Sequence, residues 1–372
     1  MKLLEHQGKS ILSNYGIAIP TGALWPALPD GVARFAVKAQ VRSGGRGKAG
    51  GIRFADSAAD AAASAKSLLA AEIGDHAVAD VLVEERLDIT REFFLAVVID
   101  RDARCRAILA SPDGGVEIES VPPARLLRVA IDPLLGPRPY HSRRVADFLD
   151  PPEAARTAVE AAVAALYALA EGEDAILAEI NPLAITAAGT VVAADAKIVL
   201  DTRAAYRQPG HAALEAPPEG SAIERAVTAA GGTAVEIDPA GDVVGIISGA
   251  GVTMATCDML VDSGARVRCV IDLGGGPIGN PAGMVPVFRA VAALAPRVTF
   301  INAYLHSSLA DDFARALATA HGEAPVGGRV LLRLLGRNAE EGRRILAPLG
   351  FEVHEGLVAS LEAVVGAARA AA

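Results

Sequence analysis

The chain has 372 residues, 52% hydrophobic and only 4% aromatic, which allows two or three domains with cores filled by Ala, Val, Leu and Ile. Its formal net charge of −9 argues against non-specific nucleic-acid binding, and no apolar run reaches the ~18 residues that a membrane-spanning helix needs. The opening MKLLEHQGKS lacks a signal core, and Cys105, Cys257 and Cys269 lack metal-ligand or CxxC spacing, so a reducing, cytoplasmic setting is expected.

The first ~200 residues alternate short apolar runs with Ala-rich stretches. Arg34 to Val41 (RFAVKAQV) reads as a strand that runs directly into a glycine-rich loop. Asp56 to Ala71 reads as a helix with Asp56 or Ser57 as its N-cap. The apolar runs Val81–Glu85, Glu92–Asp100 and Cys105–Ser111 predict an antiparallel meander. Pro151 and Pro152 open a helix from Glu153 to about Gly172. Ala175–Ile180 is the next strand, expected to end in a turn at Asn181-Pro182, with Val191–Ala196 as its hairpin partner across Ala187–Gly189. Residues ~203–240, rich in Pro, Gly and Ala, read as a linker.

Beyond it the rhythm changes. Val243–Ser248, Arg266–Leu273, Val298–Ala303 and Arg329–Leu335 are strands separated by helical stretches, the pattern of a parallel, doubly wound sheet. Each runs into a loop (SGAG, GGGP, AYLHSS, GRNAEEG), and ligands bind such sheets at the carboxyl ends of the strands.

Three features carry chemistry. The loop SGGRGKAGG (43–51) has five glycines in nine residues plus Arg46 and Lys48, so its backbone can approach an anion closely. It is not a P-loop, because Arg42 and Ala49 stand where that motif needs Gly and Ser or Thr. Composition alone allows a phosphate cradle or an ordinary turn. Gly274-Gly-Gly-Pro-Ile-Gly279 formally matches GxGxxG, but Pro277 and Asn280-Pro281 delay any helix and no acidic residue follows at the right distance, which disfavours a dinucleotide-binding domain. Glu179 and Asn181 alternate onto one side of a strand, and a hairpin could bring Asp195 beside them. One amide and one carboxylate suit Mg²⁺ whose other oxygens come from substrate phosphates; a polar hairpin end is the plainer reading.

Several segments together resemble the β subunit of succinate–CoA ligase, an ATP-grasp protein. They are AVKAQVRSGGRGKAGGI (36–52), LVEERLDITREFFLAVVIDR (82–101), GGVEIE (114–119), VAIDPLLGPRPY (129–140), AEINPLAIT (178–186), YRQP (206–209), GAGVTMATCDML (249–260) and DLGGGP (272–277). They stand in the family's order and span nearly the whole chain. The resemblance implies an α/β and α+β protein: an N-terminal ATP-grasp domain of two subdomains over 1–215, then a flavodoxin-like CoA-ligase domain with a parallel sheet over 236–372. It also implies that Lys38, Gly45, Arg46 and Gly47 meet the phosphates of ATP or ADP, that Glu84 and Glu92 are acidic residues of the nucleotide site, and that Leu87, often Thr in the family, lies at the hinge near the base. Asn181 and Asp195 match the two Mg²⁺ ligands.

The family's reaction turns acid, CoA and ATP into acyl-CoA, ADP and phosphate by way of an acyl phosphate and a phosphohistidine on a CoA-binding α subunit. None of His6, His76, His141, His211, His306, His321 and His354 matches that histidine, so an αβ or α₂β₂ assembly is expected and this chain by itself is an incomplete catalyst. Two departures stand at the acid-binding end. Ser248 replaces an Asn before GAG, and Asn302 to Ser308 replaces a glycine-rich loop with one carrying His306, Ser307 and Ser308. These donors predict a hydroxylated, branched or sulfonated carboxylic acid in place of plain succinate; drift in an unused loop is the alternative. An amide-forming ATP-grasp ligase and a non-catalytic paralogue are the competing functions. The first leaves the second domain unexplained, and the second leaves unexplained why Lys38, Glu84, Glu92, Asn181 and Asp195 are intact.

Overall fold

A computed structural model describes the chain except for residues 43–46, 48, 74–75, 215–219, 275–277, 306–307 and 371–372 and the side chain of residue 76. The chain divides into two compact units, Met1–Glu215 and Ala216–Ala372.

The first unit opens with helix α1 (Glu5–Asn14) and contains two sheets. The small sheet joins β1 (Gly22–Leu24), β2 (Phe35–Gln40), β3 (Ile52–Ala55) and β6 (Asp80–Glu85) in the antiparallel order β1-β6-β2-β3; β4 (Glu72–Ile73) and β5 (His76–Ala77) form a separate short pair. All of β2 is buried, and alternation explains how that is possible. Phe35, Val37 and Ala39 join Val81 and Val83 under α2 (Ala58–Leu69), which contributes Ala61, Ala65 and Leu68. The Ser57 side chain caps α2 by accepting from the Asp60 N–H. Lys38 and Gln40 therefore point to the opposite face.

The large sheet has the order β11-β10-β7-β8-β9, with β7 (Ile89–Asp100), β8 (Cys105–Ser111), β9 (Leu127–Ile131), β10 (Ala175–Thr186) and β11 (Val191–Ala193); β12 (Lys197–Leu200) also pairs with β10. Helices α3 (Pro139–Leu149) and α4 (Glu153–Gly172) and part of α1 supply its core, including Leu12, Val145, Leu149, Val159 and Leu166. Two expectations are corrected here. Val81–Glu85 does not belong to the meander: it pairs with β1 and β2, and only β7, β8 and β9 form the meander. The strand from Ala175 does not stop at Asn181-Pro182; β10 continues to Thr186 past a register shift between Ile180 and Leu183. Pro182 has no N–H to give the ladder, so the strand bulges there and then resumes.

In the second unit, α5 (Ala222–Ala229) and β13 (Thr233–Glu236) lie inside the stretch read as linker; Ser221 caps α5 and Glu224 closes the box. The sheet then uses β14 (Val243–Ile247), β15 (Val267–Asp272), β16 (Val298–Leu305), β17 (Arg329–Gly336) and β18 (Glu352–His354) in the order β13-β15-β14-β16-β17-β18. The five strands after β13 are mutually parallel, and β13 is an antiparallel edge. Counted from β14, the parallel order is 2-1-3-4-5, the flavodoxin-like order, whose switch point falls beside β14. Helices α6 (Ala250–Asp262) and α10 (Leu357–Ala370) cover one face, and α5, α7 (Pro281–Ala293), α8 (Ala310–Glu323) and α9 (Ala339–Leu346) the other. Among the described residues no helix is long and apolar enough to cross a membrane.

Candidate nucleotide and acid sites

In the first unit the polar face of β2 meets α1 and the turn before Ala196. Glu5 (2% exposed), Lys9 (2%), Lys38 (8%) and Glu84 (1%) form one buried cluster. Lys38 Nζ lies 3.0 Å from Glu5 Oε1 and 2.8 Å from Glu84 Oε2, and donates to the Ala194 carbonyl at 2.7 Å. Lys9 Nζ lies 2.8 Å from Glu5 Oε1 and 2.5 Å from Glu84 Oε1, and donates to the same carbonyl at 2.9 Å. Burial holds the Lys9 ammonium below its ordinary pKa, Glu5 opposes that shift, the nearby Lys38 adds to it, and Glu84 opposes it. Such a set is tolerable because every charge has an opposite one against it. Gln40 fixes α1 upon β2: its Oε1 accepts from the His6 N–H at 3.1 Å, and its Nε2 donates to the Lys38 carbonyl at 3.2 Å.

Ala194 links this cluster to the β10 bulge. Its N–H donates to the Pro182 carbonyl at 3.0 Å, and Ala193 is in register with Leu183, so Asn181-Pro182 and Ala194-Asp195 sit side by side across the hairpin. Asn181 Oδ1 accepts from the Gly115 N–H at 2.7 Å and its Nδ2 donates to the Val116 carbonyl at 2.9 Å. The GGVEIE loop needs its glycines here. A Cβ on Gly114 would stand 2.5 Å from the Phe93 nitrogen, and one on Gly115, at φ +72°, would stand 2.8 Å from Glu92 Oε2. Asn181, Glu92 and the 114–116 backbone are thus gathered at one place. Desolvation raises the Glu92 pKa. Glu179, 3.5 Å from Lys197, is also raised, first by burial, with Asp195 and Glu119 adding to the rise and Lys197 opposing it.

Gly47 is described and exposed, its carbonyl accepting from the Gly50 N–H at 3.3 Å; Gly45 and Arg46 lie outside the described residues. Leu87 is half-buried in the connection from β6 to β7. Among the described residues no group of three His, Cys, Asp or Glu side chains is arranged to hold a metal. The hard oxygen donors of Asn181 and Asp195 fit a Mg²⁺ ion that arrives with phosphates.

In the second unit, loops gather at the carboxyl ends of β14, β15 and β16. The Ser248 N–H donates to the Asn302 carbonyl at 3.2 Å. Asp272 Oδ1 accepts from the N–H groups of Gly249 and Gly274, each at 3.0 Å, and so joins the start of α6 to the end of β15 through one carboxylate. Gly249, at φ +100°, caps α6, whose N-terminus opens toward this end of the sheet. Asn302 lies within a strand, as the run Val298–Ala303 predicts, and β16 continues to Leu305, two residues beyond that run and into the stretch read as a loop; Asn302 is buried there, where Nδ2 donates to Thr256 Oγ1 and Oδ1 accepts from Arg333 Nη1, both at 3.0 Å. The departure from β16 is tightly held, since a Cβ on Gly336 would come within 1.9 Å of the Leu305 carbonyl oxygen and the Ala310 N–H donates to the Arg337 carbonyl at 2.9 Å. His306 and Ser307 lie outside the described residues. Ser308 is exposed and, with Ile278, Pro281, Asp312 and Arg315, lines a cleft of about 600 Å³.

Sequence reading missed Glu5, Lys9 and Asp272. Glu5 and Lys9 are four apart on a helix, which signals a surface ion pair; nothing in their spacing signals burial against Glu84. Asp272 is a strand-terminal acid before three glycines, a pattern that could have marked a residue joining a strand end to a helix start.

These features place the chain first in a broad class. A model of the ATP-grasp domain matches residues 2–185. The structure of ATP citrate lyase from Methanothrix soehngenii in complex with citrate and coenzyme A superposes with a TM-score of 0.77 over 99% of both chains at 19% identity, so the likeness is one of fold. The succinate–CoA ligase [ADP-forming] subunit beta of Bacteroides thetaiotaomicron is 36% identical, with 93% of this chain and 94% of that one covered. That of Pyrobaculum arsenaticum is 36% identical over 100% of both. The chain belongs to the family of succinate–CoA ligase [ADP-forming] β subunits.

Proposed function

We propose that this chain is the nucleotide-binding subunit of an ADP-forming carboxylate–CoA ligase. It works with a CoA-binding α subunit, as αβ or α₂β₂, on an acid other than plain succinate. The observation that carries the reading is the end-to-end match to the β-subunit family, and the gathering of Lys38, Glu84, Glu92, Asn181 and the Ala194-Asp195 turn within one unit supports it. Lys38, Gly45, Arg46 and Gly47 neutralise and orient the nucleotide phosphates; Glu84, Leu87 and Glu92 complete the nucleotide site. Phosphoryl transfer needs positioning and charge neutralisation more than acid–base groups, which suits this set. Asn181 and Asp195 hold Mg²⁺, which supplies further positive charge against the phosphates when bound. No catalytic residue is assigned within the chain, because the histidine that carries the phosphoryl group belongs to the partner.

At the other end Ser248, His306, Ser307 and Ser308 face the acid. Three side chains able to donate hydrogen bonds at residues 306–308 match an acid with extra hydroxyl, sulfonate or branched polar groups, because an acid oxygen that gives up its water on binding costs ~1–3 kcal/mol unless a donor replaces it. An amide-forming ligase would leave the doubly wound second unit without a task.

The test is to co-express the chain with an α-type partner and follow loss of the CoA thiol with ATP, Mg²⁺ and a panel of plain, hydroxy, branched and sulfonated acids. Thiol loss with one acid supports CoA ligation and names the substrate. If succinate has the highest kcat/KM, the altered-acid reading is wrong. If no acid consumes thiol while the complex binds MgATP, CoA ligation itself fails.

A further inference from the structure

Lys38 is the side chain assigned above to the nucleotide phosphates, yet it is engaged by two carboxylates and a carbonyl. Both carboxylates are shared with Lys9, whose contacts to Glu5 (2.8 Å) and Glu84 (2.5 Å) match or exceed in closeness those of Lys38 (3.0 and 2.8 Å). The two lysines also share the Ala194 carbonyl. Lys9 is the deeper, held on α1, which itself is tied to β2 through Gln40. Lys38 is the less buried of the two.

We propose that Lys9 is a positioning residue for Lys38: it satisfies the Glu5 and Glu84 carboxylates, so that the Lys38 ammonium can turn to the nucleotide phosphates without leaving buried charge unpaired. The inference rests on the reading that Lys38 meets those phosphates. The four side chains carry two positive and two negative charges. Without Lys9, the Glu5 and Glu84 carboxylates lose one of the two ammonium groups they share, and the turn of Lys38 toward phosphate would take the second from them. A nucleotide binds a protein only through the state able to receive it, so locking Lys38 weakens affinity by the fraction of molecules locked. The cluster also spans the unit. Glu5 and Lys9 come from α1, Lys38 and Glu84 from the small sheet, and Ala194 from the turn beside Asp195, so Lys9 sets the reach of Lys38 relative to the Asn181-Asp195 hairpin.

The experiment is calorimetric titration of MgADP into the full chain, with thermal midpoints recorded for every variant. Lys9→Met is expected to weaken MgADP by about tenfold or more, because it takes from two buried carboxylates one of the two ammonium groups they share and so holds Lys38 to them. Glu5→Gln/Lys9→Met restores the charge balance and is expected to recover most of that loss. A merely structural Lys9 would give a double variant no better than the single one. Lys9→Met binding within about threefold of the parent, or a double variant as weak as Lys9→Met, overturns the proposal. If Lys9→Met does not fold, Glu5→Gln carries the test. It is expected to bind MgADP more tightly, since fewer carboxylates hold Lys38, and a tenfold loss overturns the idea. The reading beneath is checked by Lys38→Met: if the parent chain ignores MgADP, or Lys38→Met binds it equally well, the nucleotide assignment falls and the role of Lys9 with it.

Discussion

The two units build their candidate sites in opposite ways. In the first, long charged side chains on regular strands and a helix meet in the interior, and their geometry follows from strand alternation and register. In the second, the site is made at strand ends from backbone N–H groups, one organising carboxylate and a helix N-terminus. The difference is one of tolerance. A buried charge cannot change without its partner, because an unpaired ion in a low-dielectric interior is costly. A site made of backbone groups depends less on side-chain identity, and past the end of β16 the Gly336 approach to Leu305 and the Ala310–Arg337 hydrogen bond are both set by backbone atoms. That contrast fits the expectation from the sequence, in which the family's motif residues stand in the first unit and the departures fall at strand ends of the second.

The sharpest way to break the comparison is Lys38→Met. Removing one charge-stabilising donor from a reacting site costs on the order of 10²–10³ in rate, so ATP-dependent turnover is expected to drop by that range, with a lower thermal midpoint because Glu5 and Glu84 lose a cation. Unchanged turnover would mean that the buried cluster only stabilises the unit. Next is Asp272→Ala, which frees the Gly249 and Gly274 N–H groups. Steady-state kinetics should show the KM for acid rising about tenfold, equivalent to ~1.4 kcal/mol, with MgADP affinity untouched. A loss of nucleotide binding in that variant would show that the two sites are not separable.

A finer test is His306→Gly. If His306 is a donor to the acid, the ratio of kcat/KM between the preferred polar acid and succinate should fall by about tenfold to a hundredfold, which corresponds to the ~1–3 kcal/mol that an unpaired polar group costs. An unchanged ratio would favour drift. The smallest effect is expected from Glu92→Gln. Desolvation raises the Glu92 pKa in the folded chain, so the native state binds the proton more tightly than the unfolded one. The resulting penalty is absent below the unfolded pKa and grows as pH rises through the folded value, and it persists at neutral pH. Glu92→Gln should therefore raise the thermal midpoint slightly at pH 7 and leave it unchanged near pH 3, while weakening nucleotide turnover. A lower midpoint at pH 7 would mean that the carboxylate is stabilising there.

Much of the first site was legible because it is written in contiguous strings: AVKAQV followed by the glycine-rich loop, and AEINPL. Glu5 and Lys9 were not legible, since an acid and a lysine four apart on a helix describe an exposed pair as well as a buried one. Asn181-Pro182 was misread as a turn because the local preference of an Asn-Pro pair is for turns; β10 continues there because β7 pairs with it on both sides of the bulge. Val81–Glu85 was placed with the wrong sheet for a similar reason, as apolar alternation predicts a strand but not its neighbour.

By itself the sequence determined that the chain has an ATP-grasp half and a parallel, doubly wound half, where most strands and helices lie, and which strings belong to the β-subunit family. The strands, the helices and the doubly wound half follow from periodicity and capping, short-range properties of a chain, whereas the ATP-grasp half follows from the resemblance of its ordered motifs to the family. Only the tertiary structure decided that Lys38 shares its carboxylates with Lys9, that Ala194 joins this cluster to the Asn181 bulge, and that Asp272 ties the start of α6 to the end of β15. Each depends on pairing between segments far apart in sequence, where register and burial choose the partner and local preference has no say.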